Sequence, residues 1–203
     1  MTHLLVVTSS PKSGGSVSGN LADRFVASIE ADANVVRTVR DVGHNPPPHL
    51  DETTIGAFFT PEDERTPQQV EAVKLSDKLI AEVEAADIIV IAAPMHNFGV
   101  TSALKTWIDH IARAGKTFKY TEAGPVGLLG NRKVYVLGAR GGGYSQNSPA
   151  HAMDEQEPYL KTVLGFMGLN DVTFIHAEGV AMGEEGLLRA NEAVDVAAQA
   201  LAA

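Results

Sequence analysis

The sequence predicts an α/β fold: an open, doubly wound sheet of five parallel strands with helices on both faces, in a single domain over residues 1–203. Three observations predict it. Four short runs rich in Val, Ile and Leu show little alternation, as strands covered on both faces do. Helical patterns lie between those runs, so the order is strand, helix, strand, helix. Three connections are unusually long, a feature of compact domains that carry function in their loops.

Each element has its own signal. Residues 4–7 ("LLVV") form the first strand, which stops at Thr8-Ser9-Ser10. A helix over 18–31 follows, with Leu21, Phe25, Val26 and Ile29 on one stripe. The run 35–39 ("VVRTV") is more polar and suits an edge strand. The helix over 67–86 has Thr66 as a cap and Pro67 at its first position, both start signals. The run 87–93 ("DIIVIAA") is the third strand and 102–112 the next helix. Residues 133–138 ("KVYVLG") and 172–176 ("VTFIH") complete the sheet, with helices over 158–167 and 184–202. The long connections cover 41–66, 114–131 and 139–157, and the last two are placed at the carboxyl side of the sheet or beside it. Ligands of open α/β sheets bind at that side.

Composition narrows the partners. The formal charge is -9 and the sequence pI about 5.2, with no cluster of cations, so a nucleic-acid backbone or an anionic membrane is a poor match. The chain has no cysteine, which excludes disulfides, thiolate metal sites and a cysteine nucleophile. The seven histidines show no metal-ligand spacing, so no metal is expected. No apolar run reaches membrane-spanning length and no signal-peptide pattern opens the chain, so the expectation is a soluble, cytoplasmic protein.

Three loops carry the candidate chemistry. Residues 9–18 ("SSPKSGGSVS") join a strand to a helix, whose first N–H groups are unpaired and partly positive. Ser16 and Ser18 add hydroxyls, and Gly14 and Gly15 let the backbone approach a ligand. The pattern suits a phosphate cradle, or equally an ordinary capped turn. It lacks the Gly-Lys-Ser/Thr of a P-loop and the G-x-G-x-x-G of a dinucleotide site, which leaves a mononucleotide such as FMN. Residues 93–109 ("APMHNFGVTSALKTWID") put Met95, His96, Asn97 and Phe98 in a turn before a helix capped by Thr101 or Ser102. That mixture suits a flat ring, although Phe98 can equally pack into the core. In "ARGGGYSQNSP" three glycines allow backbone donors to face a ring edge that gains negative charge on reduction. Arg140 can assist there, or pair with a surface carboxylate.

With these residues on the page, the chain resembles the FMN-dependent NADH-azoreductases, also described as FMN-dependent NADH:quinone oxidoreductases, of the flavodoxin-like superfamily. The resemblance covers essentially the whole chain. It rests on Ser9 to Ser18, Arg65-Thr66-Pro67-Gln68, "IAAPMHNFGVTSALKTWID", "ARAGKTFKYTEAGPVGLL", "ARGG" and "LGFMGLNDVTFIHAEG". It implies FMN held by Ser10, Ser16, Val17 and Ser18, by Met95, His96, Asn97 and Phe98, and by Ala139, Arg140, Gly141 and Gly142. His96 and Ala139 stand where the family often has Tyr and Ser. The resemblance also implies a homodimer with each site near the subunit interface. Phe58, Phe59, Tyr120, Tyr144 and Phe166 are candidate walls of the substrate pocket, with ordinary packing as the alternative for each.

The implied function is passage of two electrons from NADH or NADPH to a quinone or azo compound, both using one open face in turn with ping-pong kinetics. No protein nucleophile is required, because the cofactor carries the chemistry. The alternative is a flavodoxin-like electron carrier without NAD(P)H turnover, against which the long 114–131 segment speaks. A phosphoester hydrolase on the first loop would need a nucleophile or metal, and the sequence offers neither.

Overall fold

The computed structural model describes residues 1–32 and 34–202. A five-stranded parallel sheet runs in the order β2-β1-β3-β6-β7, with β1 at Thr2–Thr8, β2 at Val35–Asp41, β3 at Ile88–Pro94, β6 at Lys133–Ala139 and β7 at Asp171–Ala177. The five predicted strands are all present, and the polar β2 is an edge strand as expected. The order reverses at β1: the chain passes to β2 on one side and returns to β3 on the other. A crevice opens where the order reverses.

Two faces of the sheet are filled separately. Leu4, Val6, Ile88 and Val90 point to one side, against α1 (Val17–Asp32) and α6 (Glu185–Ala202). Leu5, Val7, Ile89 and Ile91 point to the other, against α3 (Pro67–Ala85), α4 (Ser102–Ile111) and α5 (Gln156–Phe166). Burial on both sides explains why these strands read as continuous apolar runs. Trp107 of α4 and Phe25 of α1 are fully buried, and Phe25 packs on Tyr135 with ring centroids 4.4 Å apart.

Helix ends follow the local sequence. Thr66 caps α3 by accepting from the Gln69 N–H, and the Gln69 side chain accepts from the Thr66 N–H in return. Pro67 follows at the first helical position, where no N–H is needed. Thr101, rather than Ser102, caps α4 by accepting from the Leu104 N–H at 3.1 Å.

The long connections are more ordered than their sequences suggest. The 41–66 segment contains α2 (Glu52–Phe59), capped by Asp51 and packed on α3. The 114–131 segment folds into an antiparallel hairpin of β4 (Phe118–Thr121) and β5 (Gly124–Gly127). Phe118 of this hairpin packs on Phe166 of α5 with centroids 4.3 Å apart. None of the helices among the described residues is long and apolar enough to cross a membrane.

Candidate cofactor site

Register alone brings three loops to one level. Thr8 of β1 is paired with Asp41 of β2 and with Ala92 of β3, and Pro94 of β3 is paired with Ala139 of β6. The chain leaves each strand at nearly the same height. The Ser9 N–H and hydroxyl both donate to the Ala92 carbonyl, and the Met95 N–H donates to the Ala139 carbonyl at 2.9 Å. These bonds stitch the three exits together.

At the first exit, Ser16 caps α1, its hydroxyl accepting from the Gly19 N–H at 3.2 Å and lying 3.4 Å from the Ser18 hydroxyl. Among the described residues no protein acceptor is paired with the Val17 or Ser18 N–H, which leaves a helix N-terminus with donors to offer. A small cavity of about 140 Å³ lies beside them, lined by Thr8, Ser10, Lys12, Ser16, Gly19, Asp41, His44 and Ala92. The sequence suggested an essentially neutral cradle. The structure adds Asp41 at the end of β2 and His44 just after it as a hydrogen-bonded pair at 2.8 Å. Burial pushes the Asp41 carboxyl up, but the His44 ring and N–H and the Thr8 hydroxyl outweigh it and hold the carboxyl below its ordinary range. Gly43 makes this proximity possible. A Cβ there would sit 2.0 Å from the Ser10 carbonyl oxygen, so no larger residue fits.

The second exit is a tight reversal. His96 and Gly99 exchange N–H···O bonds of 3.0 Å in both directions, and Asn97 and Phe98 between them have φ of 47° and 70°. Two consecutive left-handed residues make this a primed turn, which normally favours Asn and Gly. Asn97 fits that preference. A bulky Phe98 in this region carries strain, of a kind that collects at ligand sites. Phe98 therefore points outward, 40% exposed, and the packing alternative for it fails. Its ring meets Tyr144 edge-on, with centroids 6.3 Å apart. His96 is exposed and lines a cavity of about 380 Å³ with Ser9, Pro11, Gly43, Thr101 and the Pro46 to His49 segment. That proline segment belongs to the connection that had not been placed at this side of the sheet. Its turn-rich sequence gave no sign of where it would dock; the bond between the Pro48 carbonyl and the His110 ring fixes it.

The third exit requires a correction. The surface pairing open to Arg140 fails, because its side chain is 1% exposed. It lies 3.0 Å from Asp154, donates to Glu178 at 3.2 Å and contacts Gln156 at 3.3 Å. The Arg140 N–H is also spent, on the Ala177 carbonyl. Gly141 and Gly142 differ. Their carbonyls accept from Ala181 and Gly179, while no protein acceptor among the described residues is paired with either N–H. Gln156 ties this loop to the second exit by donating to the Ala93 carbonyl, and the Glu155 N–H donates to the Phe98 carbonyl.

Ser10, Ser16, Val17 and Ser18 thus stand at one exit, Met95 to Phe98 at the next and Ala139 to Gly142 at the third. Tyr144 joins them through Phe98. Phe59 and Tyr120 do not. They are 78% and 73% exposed, on α2 and on the hairpin, and Phe59 lines a separate cavity with Arg113 and Lys116. Phe166 packs on Phe118, so ordinary packing accounts for it. Phe58 lies under the buried Arg113 guanidinium, 5.0 Å from the ring centroid. No group of three or more His, Asp or Glu among the described residues is arranged to hold a metal ion.

Strand order and crevice together define a doubly wound α/β protein with its ligand crevice at the carboxyl end of the sheet. The family model described as "Flavodoxin-like fold" matches residues 2–202. An FMN-dependent NADH:quinone oxidoreductase from Herminiimonas arsenicoxydans is 54% identical over 193 residues, covering 94% of this chain and 93% of that protein. A protein of the same name from Dechloromonas aromatica is 53% identical over 188 residues, 92% of each chain. The crystal structure of an FMN-dependent NADH-azoreductase from Bacillus anthracis in complex with FMN superimposes with a TM-score of 0.89 at 30% identity, over all of both chains. The chain belongs to this flavodoxin-like family of FMN-dependent NADH:quinone oxidoreductases.

Proposed function

We propose that the protein is an FMN-dependent oxidoreductase that carries two electrons from NADH to quinones or azo compounds. The observation that carries this reading is the convergence of three strand exits on one rim, each leaving polar or aromatic groups unspent. The residues fit the cofactor. Its phosphate matches the free Val17 and Ser18 N–H groups and the hydroxyls of Ser10, Ser16 and Ser18 at the positive end of α1. Its ring matches Met95 to Phe98 on one side and Ala139 to Gly142 on the other. When bound, FMN supplies the two-electron chemistry.

The chain's own residues bind, orient and shield. The Gly141 and Gly142 N–H groups are fixed donors for a ring edge that becomes electron-rich, and fixed donors need no reorganisation when charge develops. The primed turn displays Asn97 and Phe98, and the Phe98–Tyr144 pair forms an aromatic wall for a flat substrate. No protein nucleophile is invoked. NADH and the acceptor take turns at the same open face, which gives parallel lines in double-reciprocal rate plots.

The assembly we infer is a homodimer. Phe59 and Tyr120 support it: two large aromatics exposed away from their own rim are suited to a second copy of the chain. NADH is favoured as donor by the relatives' names, and the choice against NADPH is open to direct competition. NADH is an intracellular metabolite, and its use as donor would favour a cytoplasmic location.

Absorption spectroscopy under anaerobic conditions tests the function. Purified protein reconstituted with FMN should show flavin bands that bleach on NADH addition and return on adding a benzoquinone. Protein that takes up no FMN would sink the reading. Flavin bands unchanged by NADH would make the chain an electron carrier instead.

A further inference from the structure

Glu178 follows β7 and contacts no part of the first two strand exits. Its carboxylate is nevertheless the hub of the third. Oε1 accepts from the Tyr144 N–H at 3.1 Å and from Arg140 Nη1 at 3.2 Å, and Oε2 accepts from the Ser145 N–H at 3.1 Å. Three donors from one loop converge on one side chain. The segment is glycine-rich, and glycine loses more freedom on ordering than any other residue. Its carbonyls are tied elsewhere: Arg140, Gly141 and Gly142 to Val180, Ala181 and Gly179, Gly143 to the Ser148 hydroxyl, Tyr144 to the His151 ring and Ser145 to the Ser148 N–H; the Tyr144 and Ser145 N–H groups have Glu178 as their acceptor.

The carboxylate is itself held in place. The start of α6 presses against its backbone so closely that a Cβ on Gly186 would lie 1.7 Å from the Glu178 carbonyl oxygen. Arg140, 1% exposed, faces both this carboxylate and that of Asp154. Charge-assisted bonds to backbone N–H groups are about twice as strong as neutral ones. An ionised carboxylate also has acceptor sites enough for all three donors, which a neutral amide does not.

We propose that Glu178 is a positioning residue for FMN: it draws Tyr144 and Ser145 back toward β7, so that the Gly141 and Gly142 N–H groups project from the rim toward the electron-rich edge of the ring. It touches neither ring nor substrate. The idea rests on the flavin reading above, but half of its test does not.

The experiment compares the parent chain with Glu178→Gln and Glu157→Gln. Glu157 also faces Arg140, at 3.9 Å, but bonds to no loop amide. In FMN-free protein, hydrogen exchange at the Tyr144 and Ser145 amides should speed up at least tenfold in Glu178→Gln and stay at the parent rate in Glu157→Gln. Unchanged exchange in Glu178→Gln would overturn the proposal, whether or not FMN binds. In FMN-loaded protein, Glu178→Gln should weaken reduced FMN more than oxidised FMN, at least tenfold against about threefold, which reads out as a lowered midpoint potential. Arg140 keeps Asp154 as its partner in this variant, so loss of the loop donors dominates the shift. Equal weakening of both forms would mean a merely structural role and would overturn the proposal. A parent chain that binds no FMN would sink the flavin reading and leave the exchange result to decide the loop.

Discussion

The two ends of the proposed cofactor site are built on opposite principles. The phosphate end is a helix N-terminus with serine hydroxyls and an exposed Pro11 to Gly15 loop, and the exposed Asp41–His44 pair beside it comes from the end of a neighbouring strand. The ring end is backed by the 1%-exposed Arg140 with Asp154 and Glu178 around it. A phosphate carries its own charge, so it finds its place with partial charges and donors that water also satisfies. A flavin edge gains charge only on reduction. Donors for it have to be held before the charge arrives, and in the proposed site the charge network around Arg140 is what would hold them.

Substitutions can break this contrast, beginning with the largest effect. Arg140→Ala leaves the buried Asp154 and the partly buried Glu178 without their cation, and removing one partner of a buried pair costs about 3–5 kcal/mol; urea denaturation should show that loss. Gly43→Ala places a methyl against the Ser10 carbonyl, and overpacking of this kind costs about 1–3 kcal/mol. Isothermal titration with FMN should also register a drop in affinity, because the strain falls on the phosphate loop. The third effect is a pH response at the ring end. The His176 bond draws the Glu157 carboxyl down to about 2, burial opposing it and the Lys161 bond assisting. A lowered carboxyl stabilises the fold above its unfolded value of 4.5, and the contribution disappears as pH falls from about 4.5 to about 2. Acid denaturation of Glu157→Gln should therefore be shallower than that of the parent, by about 1–2 kcal/mol across the window. Smallest is Ser16→Ala, which removes the α1 cap at a cost of about 1 kcal/mol. It should lower the melting temperature by a few degrees, and fluorescence titration should find FMN affinity reduced several-fold.

The same contrast explains what the sequence revealed. Buried strands and the Thr66-Pro67 start are local signals, and they came through with small shifts in their ends. The serine-glycine loop and the Met95 to Phe98 turn were legible because turn chemistry is written in adjacent residues. Arg140 was not, since its partners Asp154, Gln156 and Glu178 lie 14 to 38 residues downstream and nothing local marks them as one cluster. Helix α2 was missed because "ETTIGAFF" is short, holds two Thr and a Gly, and is stabilised by packing on α3. Hairpin β4–β5 has only four residues per strand, with Pro125 and two glycines in one of them, below what alternation can reveal.

Phe98 sits at φ 70° in a turn where an unbranched backbone would rest more easily. A glycine there would relax the chain and forfeit the aromatic face. The turn thus stores tension in order to hold a ring outward, and any homologous chain that gave up that ring would gain a calmer backbone and lose the edge-on partner of Tyr144.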